Sequence, residues 1–586
     1  MDSRRTVALL VLCLALTLAL RAAGPDAHPP ACPVAGGAAA PVPPDPLELY
    51  ARLGLADPAA PEDRAWLEEL AGGLDGLAYH ACVLLARSGA EATYFQRALD
   101  LRYTPAIQLE YARALESEGR SEEALMAWLR ILAPGEALEA LRRLEPDPVK
   151  RAGHLNQRRL ATQALAELGG EQGATAARER ALALARLGRH VEALPHFRAW
   201  LAGSPEDAAV LLAHAASLEA AGRLTDAARE YRASGPAGGL GLGRMLERSG
   251  RPAEAAEAYL SSSDVNAHWQ AALILERRGR AAEALIIYGD LASGSSRLAG
   301  DAAFRGVVVA RRLGQPEGPF RALIAPTSHW AWRLGWREDP APPPPVEPVE
   351  PAALTLASQL AAGAPGPGTP LELAHLELEI ALPRLEDPEA LAVGNWYLER
   401  GDYRRAARIG MALLPRLPTR DVYLLAYPLA YRDLVVDAGV AFGVEPYLLW
   451  AVMREESHYS PSALSVAGAR GLMQVMPATG SWLAGRMGIA YVGPEDLYQP
   501  AVSVRMGAWY LGYLLSRFEG SLDLTLAAYN GGEGSVLGWL ESPLYRDPHD
   551  FPAVITFTET REYLTKVLDT LLVYRWLYPE LTGPAS

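Results

Sequence analysis

Lysine is almost missing from this chain of 586 residues: of 55 basic residues, only Lys150 and Lys566 are lysines. The excess of arginine reads as coding bias and carries no functional message. Positive charge is short as well, with 69 acidic residues and a net charge of −14. An acidic chain repels phosphate backbones, so nucleic acid is disfavoured as a partner, whereas a neutral sugar polymer is not. The sequence holds no metal-ligand cluster, no phosphate-binding glycine loop and no Cys/His pair, so it implies no metal and no cofactor. The N-terminal apolar run, Val7 to Leu20 with only Thr17 polar, is 14 residues long. A bilayer span needs roughly 20. With Arg4 and Arg5 before the run and Ala22, Ala23 and Gly24 after it, residues 1–23 read as a secretory signal peptide, an uncleaved anchor being the alternative. Three cysteines are present. Cys13 would leave with the signal. Cys32 follows Pro29-Pro30-Ala31, a poor lipoprotein cleavage site. Cys32 and Cys82 remain as a candidate bridge in an oxidising compartment, and an inert buried Cys82 is the plainer reading.

What is abundant is helix-forming residue types, with half of the chain apolar and 21% charged. Residues 24–45 form a Pro/Ala/Gly-rich flexible leader. From 46 to 336 a fragment recurs: LESEGRSEEAL, LARLGRHVEAL, LEAAGRLTDAA, LERSGRPAEAA and LERRGRAAEAL, with glycines at 119, 188, 222, 250 and 279. A weaker copy, LERGDYRRAA, carries Gly401. The first spacing, 69, is about twice the second, 34; the next two are 28 and 29. A period near 34 with helix–Gly–helix grammar marks tetratricopeptide-like hairpins. Glycine permits the left-handed turn that ends the first helix, and neighbouring hairpins bury each other's faces. The spacing predicts an all-α superhelix over 46–336. The Pro/Gly-rich stretch 337–370 reads as a linker. Helical patterning returns over 371–419, as a helical linker region, and a texture richer in aromatics marks a final domain over 420–586. That domain has apolar stripes of its own, enough to seed an independent core.

Within it, Pro446 opens a helix whose Leu448, Leu449, Val452 and Met453 share one face. Glu455 and Glu456 end that helix. Glu456 continues the buried face and Glu455 touches its edge, so periodicity does not choose between them. A carboxyl in such a place has a raised pKa, as a general acid near neutrality requires. A solvated pair of helix-end glutamates is the bland reading. Farther on stand Gly471-Leu472-Met473-Gln474, Ala528-Tyr529-Asn530-Gly531 and Glu559-Thr560-Arg561 with Tyr563.

These four ordered motifs, with the lead-in AYPLAYRDL at 426–434, resemble the soluble lytic transglycosylase family and its lysozyme-like catalytic domain. The likeness is detailed over about 160 residues. The repeats are similar only in style to the superhelix of long members. Glu455 stands where many members have Gln, and Tyr459-Ser460 where they have an aromatic then Asn. The resemblance implies Glu456 as the single catalytic residue, with Ser465, Met473, Gln474, Tyr529, Asn530, Glu559 and Tyr563 around the sugar. It implies cleavage between N-acetylmuramic acid and N-acetylglucosamine with a 1,6-anhydro end, on peptidoglycan glycan strands in the periplasm. The repeats could also hold protein partners. Two rivals stand beside this reading. One is a lysozyme-type hydrolase on the same fold, disfavoured because no obvious second catalytic Asp stands soon after Glu456. The other is a non-catalytic peptidoglycan-binding scaffold, disfavoured by the intact motifs. Each polar residue also has a plain reading: Gln474 and Asn530 as turn caps, Tyr529 and Tyr563 as core aromatics.

Overall fold

The computed structural model describes residues 45–89, 91–131, 135–340, 344–363 and 369–581. The expected signal peptide, the leader, Cys13 and Cys32 lie outside them. The structure is all-α. Among the described residues no strand forms, and two isolated antiparallel bridges join Leu464 to Arg470 and Arg470 to Val475.

Helical hairpins follow one another as the glycine fragment predicts. Each glycine sits in the left-handed region, with φ between 72° and 77° at 119, 188, 222, 250 and 279. The residue after each glycine donates its N–H across the helix end, as Arg120 does to Leu115 O at 3.0 Å and Arg280 to Leu275 O at 2.8 Å. This satisfies a carbonyl that the finished helix would orphan. The same arginine then reaches forward to an acid three residues on: Arg120–Glu123, Arg189–Glu192, Arg223–Asp226, Arg251–Glu254 and Arg280–Glu283.

The long first interval conceals one more hairpin, Pro148–Gln157 and Ala161–Leu168. Its turn has the same bond, Leu160 N–H to Leu155 O at 2.9 Å. Arg159, at φ 63°, stands in the glycine's place.

A second regularity ties hairpin to hairpin. Glu116, Glu219, Glu247 and Glu276, each three residues before a turn glycine, accept from an aromatic twelve residues later: Trp128, Tyr231, Tyr259 and Tyr288, at 2.6–2.9 Å. Each also takes an arginine from the helix beyond: Arg143, Arg248, Arg277 and Arg305.

The ladder ends on the C-terminal domain. Arg305, 2% exposed at its side chain, bonds both Glu276 and the fully buried Asp550. Arg312–Asp550, Arg333–Asp523 and His329–Asp569 add to this junction. One apolar core runs through it, joining Trp269, Phe304 and Trp330 to residues from Ala430 to Tyr578. The boundary at 420 is thus a boundary in sequence and not a break in packing toward residues 269–336.

The other end of the superhelix is closed too. The stretch expected as a linker over 337–370 contains a helix, Ala352–Ala361, that buries Ala357 and Leu360. With the helices Pro370–Ala381, Asp387–Glu399 and Tyr403–Leu413 it shares a core with residues 50–140. The 371–419 region therefore packs on the first hairpins and does not act as a spacer. Tyr50 donates to Glu377, which also accepts from Gly76 N–H at 3.0 Å; burial pushes the Glu377 carboxyl up. Cys82 lies in this core, its thiol pushed up to about 11 by burial.

Candidate active site

The helix Pro446–Ser457 buries Leu448, Leu449, Val452 and Met453 completely or nearly so, and Trp450 with them. Trp450 fixes its direction by donating to Ala430 O at 2.7 Å. It ends abruptly. His458 and Tyr459 are both left-handed, at φ 47° and 62°. Such backbone costs on the order of 1 kcal/mol per residue and persists where the surroundings enforce it. Here Tyr459 is buried with its hydroxyl 2.6 Å from that of Tyr574, and His458 N–H donates to Arg454 O at 3.0 Å.

The two glutamates at this helix end differ in what they touch. Glu455 accepts from Thr570 Oγ1 at 2.8 Å and from Arg454. It is engaged structurally by a residue 115 positions away. Glu456, with the Tyr563 hydroxyl as its neighbour, is held by no threonine or arginine among the described residues. It is partly buried, and desolvation, with the nearby charges of Glu455 and Glu559, pushes its carboxyl up to about 7. The Tyr563 hydroxyl beside it opposes that rise by favouring the carboxylate. That hydroxyl is buried and forms no regular hydrogen bond among the described residues. Tyr529 also adjoins Glu456, and its hydroxyl donates to Met473 O at 2.8 Å.

The other expected residues mostly build the walls. Gln474, left-handed at φ 47°, donates its amide to Gly471 O at 2.9 Å and Ala463 O at 3.2 Å. A Cβ on Gly471 would lie 1.9 Å from Leu497 O, so only glycine fits there. Ser465 Oγ accepts from Ala469 N–H at 2.9 Å and closes the 465–469 turn. Asn530 Oδ1 accepts from Thr560 Oγ1 at 2.7 Å. Glu559 is exposed at the rim. Met473 departs from expectation. Its side chain is wholly buried against Gly507, so it supports Tyr529 through its carbonyl and presents no surface to a sugar.

Sequence reasoning passed over an aromatic ledge that leads away from Tyr529. Tyr510 lies 5.5 Å from Tyr529, Tyr513 stacks between Tyr510 and Trp509, and Trp482 meets Trp509 at 5.7 Å. The signal was available: Trp509, Tyr510 and Tyr513 recur on neighbouring faces of the helix Pro500–Arg517. Thr570, which holds Glu455, was likewise not singled out, and Thr560, which holds Asn530, stood there only as part of its motif.

A helical superhelix closed onto a lysozyme-like domain, with one proton-holding carboxyl at a helix end, defines the class. Residues 433–549 match the Transglycosylase SLT domain model. Among curated relatives, the soluble lytic murein transglycosylase of Salmonella typhimurium is 36% identical over 151 residues, 25% of this chain and 23% of its own length. That of Escherichia coli K12 is 35% identical over 152 residues, 26% and 24% respectively. The chain thus spans about a quarter of the length of these relatives in the matched part. The fold likeness is wider. Lytic transglycosylase Slt from Pseudomonas aeruginosa superposes with a TM-score of 0.53 at 22% identity, covering 90% of both chains. The 70-kDa soluble lytic transglycosylase of Escherichia coli gives 0.52 at 20%, covering 92% of this chain and 90% of that one.

Proposed function

We propose that this protein is an exported, periplasmic lytic transglycosylase that cuts peptidoglycan glycan strands with Glu456 as its single acid and base. One observation carries the reading: a partly buried carboxyl whose proton is held to about pH 7, beside a neighbour already committed to Thr570 and Arg454. Paired-carboxylate glycosidases need a second group free to act as base or nucleophile. Glu455 is not free. Glu456 protonates the bridging oxygen between N-acetylmuramic acid and N-acetylglucosamine. The oxocarbenium-like centre is stabilised by the substrate's own acetamido group. The Glu456 carboxylate then takes the proton of the C6 hydroxyl as that oxygen closes on C1, giving a 1,6-anhydro end without consuming water. Tyr529 and Tyr563 keep the carboxyl dry and oriented. Gln474, Ser465 and Asn530 hold the loops that shape the cleft, and Glu559 borders it. The superhelix supplies a surface that retains the strand or holds a protein partner.

Digestion of sacculi in oxygen-18 water tests the chemistry. New ends should be anhydro and unlabelled. Labelled reducing ends in the majority would mean hydrolysis, with the rim carboxylate Glu559 as the candidate to position water.

A further inference from the structure

The repeats supply an internal standard against which one hairpin stands out. In five turns the pattern is glycine, arginine, two residues, then an acid, and the arginine and acid neutralise each other. In the 148–168 hairpin the same positions read Arg159, Leu160, Ala161, Thr162 and Gln163. The acid has become Gln163, the paired base Leu160, and the glycine a third kind of residue, an arginine.

The inter-hairpin ladder is altered at the same place. Arg248 and Arg277, two residues before their turn glycines, bond Glu219 and Glu247 of the preceding hairpin. Arg186 occupies that position before Gly188. The preceding hairpin offers it Asn156 where four others offer Glu116, Glu219, Glu247 and Glu276 and the Gly188 hairpin itself has Ala185. Asn156 is turned instead to Glu179, accepting nothing from Arg186 and donating to the Glu179 carboxylate at 2.8 Å. Arg159 and Arg186 are therefore left without a carboxylate or carbonyl partner among the described residues, on a chain whose net charge is −14. Both line one cavity of about 510 Å³, with Thr162 and Gln163 on its wall. Arg158, half-buried beside it and lining the adjoining small apolar cavity, has no charged partner either; desolvation alone pulls its pKa down.

Two guanidinium groups, a hydroxyl and an amide around an open cavity make a receptor for oxyanions. Planar guanidinium forks match carboxylates in particular. The backbone argues for use as well. A left-handed arginine costs about 1 kcal/mol where glycine costs nothing, and nothing in the fold of the turn needs its side chain. We propose that this turn is a second binding site, outside the C-terminal domain, for the carboxylates of the peptide side chains that peptidoglycan carries. The proposal rests on the substrate reading above. A site on the superhelix that grips peptides while Glu456 cuts glycan adds retention without touching the chemistry.

The test uses the full chain with Glu456→Gln, which binds without cutting, with and without Arg159→Gly and Arg186→Gln. Glycine relaxes at that φ, so the double change should keep or raise thermal stability and leave the fold intact. Calorimetric titration with a soluble acidic stem tripeptide should show affinity reduced by roughly three- to tenfold in the double variant, the scale of losing two partly exposed ion pairs. The same peptide with amidated carboxyls should bind neither protein. Retention on sacculi should fall when amidase removes the peptides, and should not fall when hydrofluoric acid strips phosphate polymers. Equal peptide affinity in both proteins, or retention lost with the phosphate polymers instead, would overturn the proposal. Because binding is read on inert protein, its failure leaves the cleavage reading standing, and the oxygen-18 outcome leaves the peptide titration interpretable.

Discussion

Replacing Glu456 by Gln should abolish strand cleavage and, at the same time, make the protein more stable in a manner that depends on pH. The carboxyl titrates near 7 in the fold and near 4.5 in the unfolded chain. Because the folded value is the higher one, the native state holds its proton more tightly, and ionisation destabilises it. Below about pH 4.5 both states are protonated and the site has no such cost. Between 4.5 and 7 the cost grows, and above 7 it is complete. At about 1.4 kcal/mol for each pH unit between the two values, it reaches about 3 kcal/mol. Gln has the same shape and never ionises, so it removes that cost. Differential scanning calorimetry of wild type and variant at pH 4.5, 6 and 8 reads the difference directly. The variant should melt at the wild-type temperature at pH 4.5 and clearly above it at pH 8. An increment that is flat with pH, or absent at pH 8, would refute the claim that Glu456 is a desolvated acid, whatever its effect on activity. Such a coupling of lost activity to gained stability is the mark of a site kept strained for use.

Activity itself should fall as pH rises through about 7, because the reacting acid must enter protonated; a pH–rate profile on soluble glycan strands shows the limb. Glu455→Gln should cost far less activity than Glu456→Gln but should destabilise by roughly 1–3 kcal/mol, since Arg454 loses its charged partner and Thr570 keeps only an amide; a lethal effect at 455 would reverse the assignment. Asp550→Ala should loosen the junction between superhelix and C-terminal domain by about 3–5 kcal/mol, because Arg305 and Arg312 would face a buried gap; limited proteolysis near residue 550 should accelerate. Its carboxyl is held down to about 2, so the stability it contributes is present above the ordinary aspartate range and fades as pH falls toward 2.

Much of this was legible because the repeats announce themselves through a backbone requirement. Gly119, Gly188, Gly222, Gly250 and Gly279 must be glycine to turn cheaply, and the eye finds them. The 148–168 hairpin showed only as a doubled spacing of 69 residues, because Arg159 makes the same kind of turn without the glycine. The ladder of Glu and aromatic residues twelve apart was written in the sequence, but a fixed spacing of ordinary residues has no meaning until helices place them side by side. The Pro-rich stretch was read by its composition, which says nothing of where a chain returns. Only the burial of Ala357 and Leu360 in one core with Tyr50, next to Glu377 bonded to Tyr50 and Gly76, reveals that it closes the superhelix. In the site, motif register marked Glu456, but what separates it from Glu455 is Thr570, brought across by the final helix.

A linear array of repeats frays from its ends, where each terminal unit lacks a neighbour. This array has no such ends. Its first hairpins are roofed by the helices of 352–413, and its last hands Arg305 to Asp550. Fraying from an end therefore has to break one of these contacts first. Two adjacent interior units lack the clamping glutamate: the one with a strained arginine at its turn has Asn156 there, and the next has Ala185. A closed loop of hairpins acquires in this way a less clamped stretch in its interior, on a different part of the chain from Glu456.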